Sequence, residues 1–395
     1  MSRVHICTAL YDKNGTYSKY LGTMLSLLLN KTHSTIDIHI LHDETLSIKE
    51  KNRFKKMAEY CGQNIYFYCI HMPDMSKLAA IKNLTIGTLF RLKIPEILPA
   101  SIDKIIYLDA DLLVNLDIVN LWDMDYEGNT VLAAKDYAFY PIALRKMFQS
   151  GLLNERQYFN AGVMVWNLKE IRENYNLYEQ AIDFLEKHPE SPFLDQDALN
   201  YIFAGRVGYI SDKYNFFTLQ HRHMNLPLEE RIYHFAGDHP YMLPEESFDK
   251  KFYDVLSESP WREELRDHYM DGLRKRDTQI EYIRTVLKKA RGRVLAFWGG
   301  AGMLAEKIIS LCGVDTSTDF IIDNNRELWG KERFGLSIKS PEALHDIDDV
   351  YIIVISNLHY PEIKEQLQLM GYTELEDFVN ARYLLLEREN GIFVV

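Results

Sequence analysis

The amino-acid sequence predicts an α/β protein in which a mostly parallel sheet is flanked by helices and followed by a smaller α/β domain. Between residues 4 and 253, short apolar runs typical of strands alternate with runs of helical periodicity. A new strand-turn-helix pattern begins at residue 294, after a highly charged stretch. At 395 residues the chain has room for two or three domains. We therefore expect a first domain over residues 1–255, a charged helical linker over 256–290 and a second domain over 291–395.

The elements of the first domain follow from the spacing of apolar residues along the chain. The predicted strands are Val4–Ala9, Ile36–Leu41, Ile65–Ile70, Lys104–Leu108, Val131–Ala134, Gly162–Asn167 and Ile232–Phe235. The predicted helices are Tyr17–Asn30, Ser47–Cys61 and Lys169–Lys187. Because strands and helices alternate, most strands are expected to run parallel, with their carboxyl ends at one edge of the sheet.

Charge and composition exclude several classes of protein. A formal net charge of −12 argues against general nucleic-acid binding, which requires a basic face. The four cysteines have no Cys-x-x-Cys spacing, which favours reduced thiols over a disulfide framework or a zinc site. Residues 1–7 predict a first strand rather than a signal peptide, so we expect a cytoplasmic protein.

The stretch 261–293 is basic within an otherwise acidic chain. It holds ten basic and six acidic residues, and its apolar residues recur at helical spacing. One interpretation is a solvated connecting helix that packs on its neighbours. The other is a basic helix that makes a peripheral contact with an anionic membrane.

The last domain opens with the strand Val294–Trp298 and a glycine-rich turn, followed by strands at Phe320–Asp323 and Val350–Ile355. The pattern Gly300-x-Gly302-x-x-Ala305, with Asp323 after the next strand, fits a dinucleotide-binding fingerprint. This part resembles the Rossmann-like modules of proteins that modify sugars. Its roughly 105 residues hold only half of a full dinucleotide fold, so an accessory role, ligand binding without chemistry and catalysis all stay open.

The first domain contains a pair of carboxylates, Asp109 and Asp111, directly after the apolar strand that ends at Leu108. In a regular strand, residues two apart point to the same side, which would place both carboxylates in the crevice at the sheet edge. Two such charges are costly unless a cation lies between them, and Mg²⁺ or Mn²⁺ suits oxygen ligands and phosphate. The alternative is that one aspartate caps the next element and the other is solvated.

Three further polar motifs accompany the carboxylate pair. Asn160 and Gly162 precede a buried strand, where an amide can bind a hydroxylated ligand and a glycine lets it approach closely. The run Asp195–Asp197 precedes a helical pattern and is either a site or a helix start. His234 follows an apolar strand and is either a core histidine or a third metal ligand.

The order of these motifs resembles glycosyltransferase family 8, which contains bacterial lipopolysaccharide galactosyl- and glucosyltransferases and glycogenin. The resemblance covers residues 1–250. It implies a GT-A fold, a nucleotide-sugar donor that is usually UDP-linked, a Mn²⁺ ion and retention of the anomeric configuration. Asp109, Asp111 and His234 would hold the metal, with Mg²⁺ as the alternative ion, and Asp195 and Gln196 would lie beside the anomeric carbon.

The same resemblance implies the residues that contact the donor. The first strand and its loop would hold the uridine, Arg91 would reach a phosphate or the sugar, and Asp136 and Asn160 would bind sugar hydroxyls. The implied donor-binding positions are Ala9, Tyr11, Asp12, Asn14, Arg91, Asp136, Asn160, Ala161, Gly237 and His239.

The chain departs from the family pattern at the end of this domain. The family usually has His-x-x-Gly-x-x-Lys-Pro-Trp, in which the lysine binds the diphosphate. Here Gly237 is followed by Asp238 and His239, so the motif is one residue shorter and a histidine replaces the lysine. His239 is mostly neutral at pH 7, which weakens one phosphate contact, and Lys251 or Arg231 could compensate.

These observations predict a retaining hexosyltransferase that moves glucose or galactose from a UDP-sugar to a glycan or glycoprotein acceptor. Two other functions stay open. One is a nucleotide-sugar-binding scaffold with weak catalysis, because of the shortened motif. The other is an NAD-dependent sugar oxidoreductase centred on the last domain.

Overall fold

The computed structural model describes residues 3–13, 15–71, 86–137, 140–222, 224–240, 246–265, 285–286, 288–299, 303–356, 359–381, 386–388 and 391–393. Asn14, most of the predicted linker (266–284) and the glycines Gly300 and Gly302 lie outside the described residues. The chain divides into two compact units, Met1–Asp267 and His268–Val395. The domain boundaries at 255 and 290 stay a prediction.

The elements of the first unit follow the predicted alternation of strands and helices. Strands β1 to β10 are Val4–Leu10, Ile36–His42, Asn64–Cys69, Lys104–Leu108, Leu112–Val114, Val131–Lys135, Phe159–Asn167, Val207–Ile210, Phe216–Phe217 and Ile232–His234. Helices α1 to α9 are Ser18–Lys31, Ile48–Tyr60, Ile94–Ile97, Val119–Trp122, Ile142–Gln149, Leu168–Asn174, Leu177–Lys187, Asp195–Ile202 and Ser247–Glu258. A 3₁₀ helix over Ile86–Lys93 precedes α3.

The large sheet of this unit has seven strands in the order β3-β2-β1-β4-β7-β6-β8. Its pairs are parallel except at β7, which runs antiparallel to both β4 and β6. The prediction of a mostly parallel sheet is therefore confirmed. Each face packs on its own apolar cluster, the first built with α1, α2 and α9 and the second with α6, α7 and α8. All seven residues of β2 are buried, although Asp37 and His39 alternate with the isoleucines along the strand.

A second sheet has three strands in the order β5-β10-β9. Its strand β5 follows β4 of the large sheet after a turn of three residues. The sequence predicted a strand at Ile232–Phe235 but no second sheet, and the structure places this strand in the smaller one. The strand β10 pairs antiparallel with β5, which directly follows the carboxylate pair, so His234 lies opposite Leu112. An apolar run of three or four residues contains no information about which sheet it joins, so only the tertiary pairing could show this.

Two other boundaries differ from the prediction. The run Lys169–Lys187 is two helices rather than one, because Tyr175 between α6 and α7 is extended (φ −134°, ψ 139°). Its ring packs edge-on against Phe203, with 5.3 Å between ring centroids, and this contact outweighs the continuing helical periodicity. The strand β7 begins at Phe159, three residues before the predicted start at Gly162, so Asn160 lies within the strand rather than before it.

The segment after α9 is anchored in the first unit by Trp261, which is fully buried. Its ring centroid lies 4.6 Å from that of Phe54, and its indole N–H donates to Glu50 at 2.6 Å. The ring also lies so close to Gly22 that a Cβ added there would be 2.3 Å from it. The absence of a side chain at Gly22 therefore leaves room for the ring of Trp261, although the two residues lie more than 200 positions apart in the chain.

The second unit contains a further α/β sheet, as predicted. Strands β11 to β18 are Val294–Trp298, Phe320–Ile322, Glu332–Arg333, Leu336–Lys339, Val350–Val354, Phe378–Asn380, Leu386–Arg388 and Gly391–Phe393, with α10 at Met303–Leu311 and α11 at Tyr360–Leu369. Six of the strands form one sheet in the order β13-β14-β12-β11-β15-β16, parallel except for the edge strand β13. The Rossmann-like identity of this unit and its ligand stay predictions.

Among the residues that the structure describes, no helix combines the length and the apolar character needed to cross a membrane.

Candidate active site

The predicted metal ligands come together at the junction of the two sheets. Asp109 and Asp111 lie in the turn between β4 and β5, and His234 is the last residue of β10. Each of the three side chains offers one ligand atom, and these atoms lie within 4.8 Å of one another. His234 Nε2 is 3.5 Å from Asp111 Oδ1 and 4.0 Å from Asp109 Oδ2. The two carboxylates converge through this turn, and not through strand alternation as the sequence suggested.

Asp109, Asp111 and His234 form an acid-imidazole group whose negative charges stabilise a positive charge between or on its side chains. Burial by itself lowers the pKa of His234, but the hydrogen bond and the charge of Asp111 outweigh it, and the net effect is a raised pKa. Burial also opposes ionisation of Asp111, yet the interactions with His234 lower its pKa overall. The charge of Asp111 raises the pKa of the nearby Tyr17 phenol. Two carboxylates and one imidazole are a donor set that fits Mn²⁺ or Mg²⁺.

Beside this group lies a cluster of buried amides. Asn160 Nδ2 donates to Gln196 Oε1 at 3.0 Å and to Asp136 Oδ2 at 3.2 Å. Gln196 Nε2 donates to the same Asp136 oxygen at 3.0 Å and to the hydroxyl of Tyr158 at 3.1 Å. The backbone N–H of Ala161 donates to Gln196 Oε1 at 3.0 Å. Gln196 is therefore held in one orientation by three elements of the fold.

Arg91 connects the carboxylates of the site. Its guanidinium is 2.8 Å from Asp109 Oδ1 and 3.0 Å from Asp195 Oδ2, and it donates to the carbonyl of Ala161 at 2.6 Å. Burial by itself lowers the pKa of Arg91, but Asp109 and Asp195 raise it overall, so the side chain stays charged. It also stacks over the ring of Tyr107, at 4.5 Å from its centroid. One buried cation thus holds a metal-facing acid and a second acid in fixed positions.

Asp195 and Gln196 form the first turn of α8, so this helix begins three residues earlier than the sequence suggested. The preceding residue, Leu194, is buried and has a positive φ of 45°, which is strained for a branched side chain. Burial raises the pKa of Asp195 to about 6, with Arg91 opposing this rise and Asp109 adding to it.

Three other residues predicted to bind the donor lie in β1 or between β1 and α1. Ala9 is in β1, and Tyr11 packs edge-on against Phe90. Asp12 stabilises the start of α1, because its carboxylate accepts the backbone N–H groups of Tyr17 at 2.7 Å and Ser18 at 3.3 Å.

Gly237 and His239 are exposed in the loop after β10. The buried side chain of Arg222 supports this loop: it donates to Asp238 at 2.8 Å and to the carbonyl of His239 at 2.7 Å. The roles of these residues in donor binding stay predictions.

Sequence reasoning missed two residues that support the site, Tyr158 and Asn215. Tyr158 is buried and donates to Asp197 while its oxygen accepts from Gln196. Asn215 accepts from His234 at 2.7 Å. A buried amide within the aromatic run Tyr214–Phe217 is unusual, and that pattern is the signal that could have indicated Asn215.

The side chains around Gly162 leave no room for a larger residue. A Cβ at this position would lie 2.3 Å from Cε1 of His234 and 2.9 Å from Oδ2 of Asp109. We expect Gly162→Ala to displace the imidazole and to lower turnover on the order of 100-fold, since misplacement by about 1 Å can cost that much. Gly208→Ala is the control in the same sheet, because its added Cβ would lie 2.6 Å from the end of the Leu132 side chain and 3.2 Å from the side-chain amide of Asn129, and neither residue belongs to the site. Equal activity in the two variants would contradict this prediction.

Comparison with known proteins identifies the family to which the chain belongs. The family model for Glycosyl transferase family 8 matches residues 8–239, which is more than half of the chain. General stress protein A of Bacillus subtilis is 28% identical over 218 residues, which is 54% of this chain and 73% of that protein. Lipopolysaccharide 1,3-galactosyltransferase of Salmonella typhimurium is 27% identical over 211 residues, which is 52% of this chain and 61% of that protein.

A solved structure shows the same fold. The crystal structure of galactosyltransferase LgtC with donor and acceptor sugar analogs has a TM-score of 0.54 and 23% identity, over 65% of this chain and 96% of that one. The GT-A fold predicted for the first unit is therefore confirmed. The matched segment includes the acid-imidazole group and the amide cluster, and the chain belongs to glycosyltransferase family 8.

Proposed function

We propose that this protein is a metal-dependent, retaining glycosyltransferase that moves a hexose, glucose or galactose, from a UDP-sugar to a glycan or glycoprotein acceptor. The observation that supports it most is the convergence of Asp109, Asp111 and His234 next to the amides of Asn160 and Gln196. The relative from Salmonella, which is named a lipopolysaccharide 1,3-galactosyltransferase, supports a hexose donor and a glycan acceptor. A cytoplasmic location is part of the proposal, and the basic stretch 261–293 stays open between a connecting helix and a peripheral membrane contact.

Asp109, Asp111 and His234 would hold the metal, with Mn²⁺ proposed and Mg²⁺ as the alternative. When bound, such a cation supplies electrostatic stabilisation for negative charge on a leaving diphosphate. The protein's own part is to keep the ligands in place: Arg91 and Tyr107 both donate to Asp109, at 2.8 Å each. The guanidinium of Arg91 would also place positive charge beside a phosphate or the sugar of the donor.

On the sugar side, we assign Asp136, Asn160 and Ala161 to binding of the donor hexose. Asp195 and Gln196 would lie beside the anomeric carbon. Positive charge develops on the sugar as the glycosidic bond breaks, and the carboxylate of Asp195 and the dipole of the Gln196 amide can stabilise it. Ala9 in β1 and Tyr11, Asp12 and Asn14 after it are proposed to hold the uridine, and Gly237 and His239 the diphosphate.

The raised pKa of Asp195 predicts how activity depends on pH. A carboxyl group with a pKa near 6 loses its negative charge as the pH falls through 6, and the protonated form cannot stabilise a cationic sugar. We expect turnover to fall about tenfold for each pH unit below 6. In Asp195→Asn this acid limb should be absent at a lower overall rate. Profiles of kcat from pH 4.5 to 8 would test this, and an unchanged acid limb in the variant would assign the titration to another group.

The proposed reaction is tested by incubating the protein with Mn²⁺ and a panel of UDP-sugars and measuring the release of UDP. Release with UDP-glucose or UDP-galactose, abolished by a chelator and restored by Mn²⁺, is the expected result. If metal and donor bind but no UDP forms with any candidate acceptor, the protein acts as a nucleotide-sugar-binding scaffold. The replacement of the family lysine by His239 is the observation that favours this second function.

A further inference from the structure

Asn215 lies between the metal-facing and the sugar-facing parts of the site and contacts both. Its side chain is buried, with 2% exposed. On one side, Asn215 Oδ1 is 2.7 Å from Nδ1 of His234. On the other side, Asn215 Nδ2 donates to Asn160 Oδ1 at 2.9 Å. A single amide therefore joins a proposed metal ligand to a proposed sugar ligand.

The orientation of this amide follows from backbone donors, whose identity is unambiguous. The backbone N–H of Gly162 donates to Asn160 at 2.9 Å, so the atom of Asn160 at that position must be its oxygen. An oxygen there requires a donor from Asn215, so Asn215 turns its NH₂ group toward Asn160. Its own oxygen then faces His234, and Nδ1 of the imidazole must carry a proton.

The other end of the chain of hydrogen bonds agrees with this orientation. Asn160 Nδ2 donates onward to Gln196 Oε1, an oxygen that also accepts the backbone N–H of Ala161. Every donor and acceptor between Gln196 and His234 is thus assigned, and reversing one amide would place two like groups together. With Nδ1 protonated, the free electron pair of a neutral His234 can only be on Nε2, the atom that faces Asp109 and Asp111.

We propose that Asn215 is a positioning residue that selects the metal-binding tautomer of His234 and couples metal binding to recognition of the donor sugar. This inference rests on the proposed function. Outer partners of metal-binding histidines commonly change metal affinity by 10-fold to 100-fold. Asn215 differs from a simple outer partner because its second hydrogen bond ends on the amides that would bind the sugar.

Two substitutions separate these two roles. Asn215→Ala removes both hydrogen bonds, and we expect Mn²⁺ affinity of the nucleotide-free protein to fall by about 10-fold to 100-fold. Asn215→Asp keeps an acceptor for Nδ1 but turns a second acceptor toward Asn160. It should bind Mn²⁺ nearly as the parent protein does, while losing most of the preference for a UDP-sugar over UDP.

The control is Asn200→Ala, because Asn200 is also buried, with 8% exposed, and makes three hydrogen bonds, to Phe159 and Gln196, without contacting His234. Mn²⁺ affinity is measured by electron paramagnetic resonance, UDP and UDP-sugar affinity by calorimetry, and thermal stability by scanning calorimetry. A general packing defect would lower the melting temperature of Asn200→Ala and Asn215→Ala alike, but would leave Mn²⁺ affinity unchanged in both.

Each outcome decides the inference. Unchanged Mn²⁺ affinity in Asn215→Ala overturns it, and so does an equal loss of Mn²⁺ in Asn215→Ala and Asn215→Asp, because acceptor character would then be irrelevant. An unchanged preference for the UDP-sugar in Asn215→Asp overturns the coupling. If the parent protein binds no Mn²⁺, the proposed function fails together with the inference, whereas the first three results leave the proposed function standing.

Discussion

Asp111→Asn is expected to lower the rate of sugar transfer on the order of 1,000-fold, because it removes a charged ligand from the proposed metal site. The carboxylate lies 3.5 Å from Nε2 of His234 and converges with Asp109. Replacing it by an isosteric amide removes one charge from the proposed metal ligands without changing the packing. If the bound cation stabilises the leaving diphosphate by about 4 kcal/mol, its loss corresponds to about three orders of magnitude.

The substitution also has a consequence for the imidazole. The pKa of His234 is raised because the interactions with Asp111 outweigh burial, so removal of the charge should bring that pKa down. Asp111 is a cleaner test than Asp109, because Asp109 also holds Arg91 and Tyr107. Steady-state rates at increasing Mn²⁺, together with direct measurement of Mn²⁺ binding, give the result.

Asp117→Asn serves as the control for Asp111→Asn. Asp117 lies six residues later, is also partly exposed, and accepts a backbone N–H from Val119 at 3.0 Å, a role that an asparagine oxygen can keep. It should retain full activity. Normal Mn²⁺-dependent transfer by Asp111→Asn would contradict the assignment of Asp111 as a metal ligand.

Trp261→Ala is expected to destabilise the first unit by about 3–5 kcal/mol, the usual cost of deleting a large aromatic side chain from a core. The ring is fully buried between Phe54 and the surface of α1 at Gly22. Its indole N–H is also a partner of the buried carboxylate of Glu50. Truncation leaves a cavity and removes that hydrogen bond, and both effects favour unfolding.

Scanning calorimetry measures this effect, and the two units require that each transition be followed separately. Trp329→Ala is the control, because Trp329 belongs to the second unit, is partly buried and donates to the carbonyl of Asp323. Trp261→Ala should lower one transition and Trp329→Ala the other. A first-unit transition unchanged in Trp261→Ala would show that the anchor adds little to stability.

Much of the large sheet could be predicted from the sequence because its strands are buried on both faces. Burial on both sides produces uninterrupted apolar runs such as Val131–Ala134, and such runs between helical patterns predict strands of a buried, mostly parallel sheet. The predicted Lys104–Leu108 strand has the observed bounds for the same reason. Helix ends were less predictable, as the break at Tyr175 shows, because an aromatic contact with Phe203 decides it.

The chemical character of the site could also be predicted, but its geometry could not. Asp109, Asp111 and His234 were identified by residue type and by resemblance to a family. Their convergence depends on β10 pairing with β5 in the second sheet, a contact between segments about 120 residues apart in the chain. The need for a glycine at position 162 follows from that same pairing, because it brings the imidazole of His234 against the backbone.

By itself, the sequence determined the α/β class, the carboxylate pair and the family, because residue types and their spacing along a chain carry that information directly. Only the tertiary structure decided how Asn215 joins His234 to Asn160, why Gly162 has no side chain, and where Trp261 is buried. Hydrogen bonds and van der Waals contacts act over a few ångströms in space. Which groups come that close depends on chain pairing, which no local pattern records.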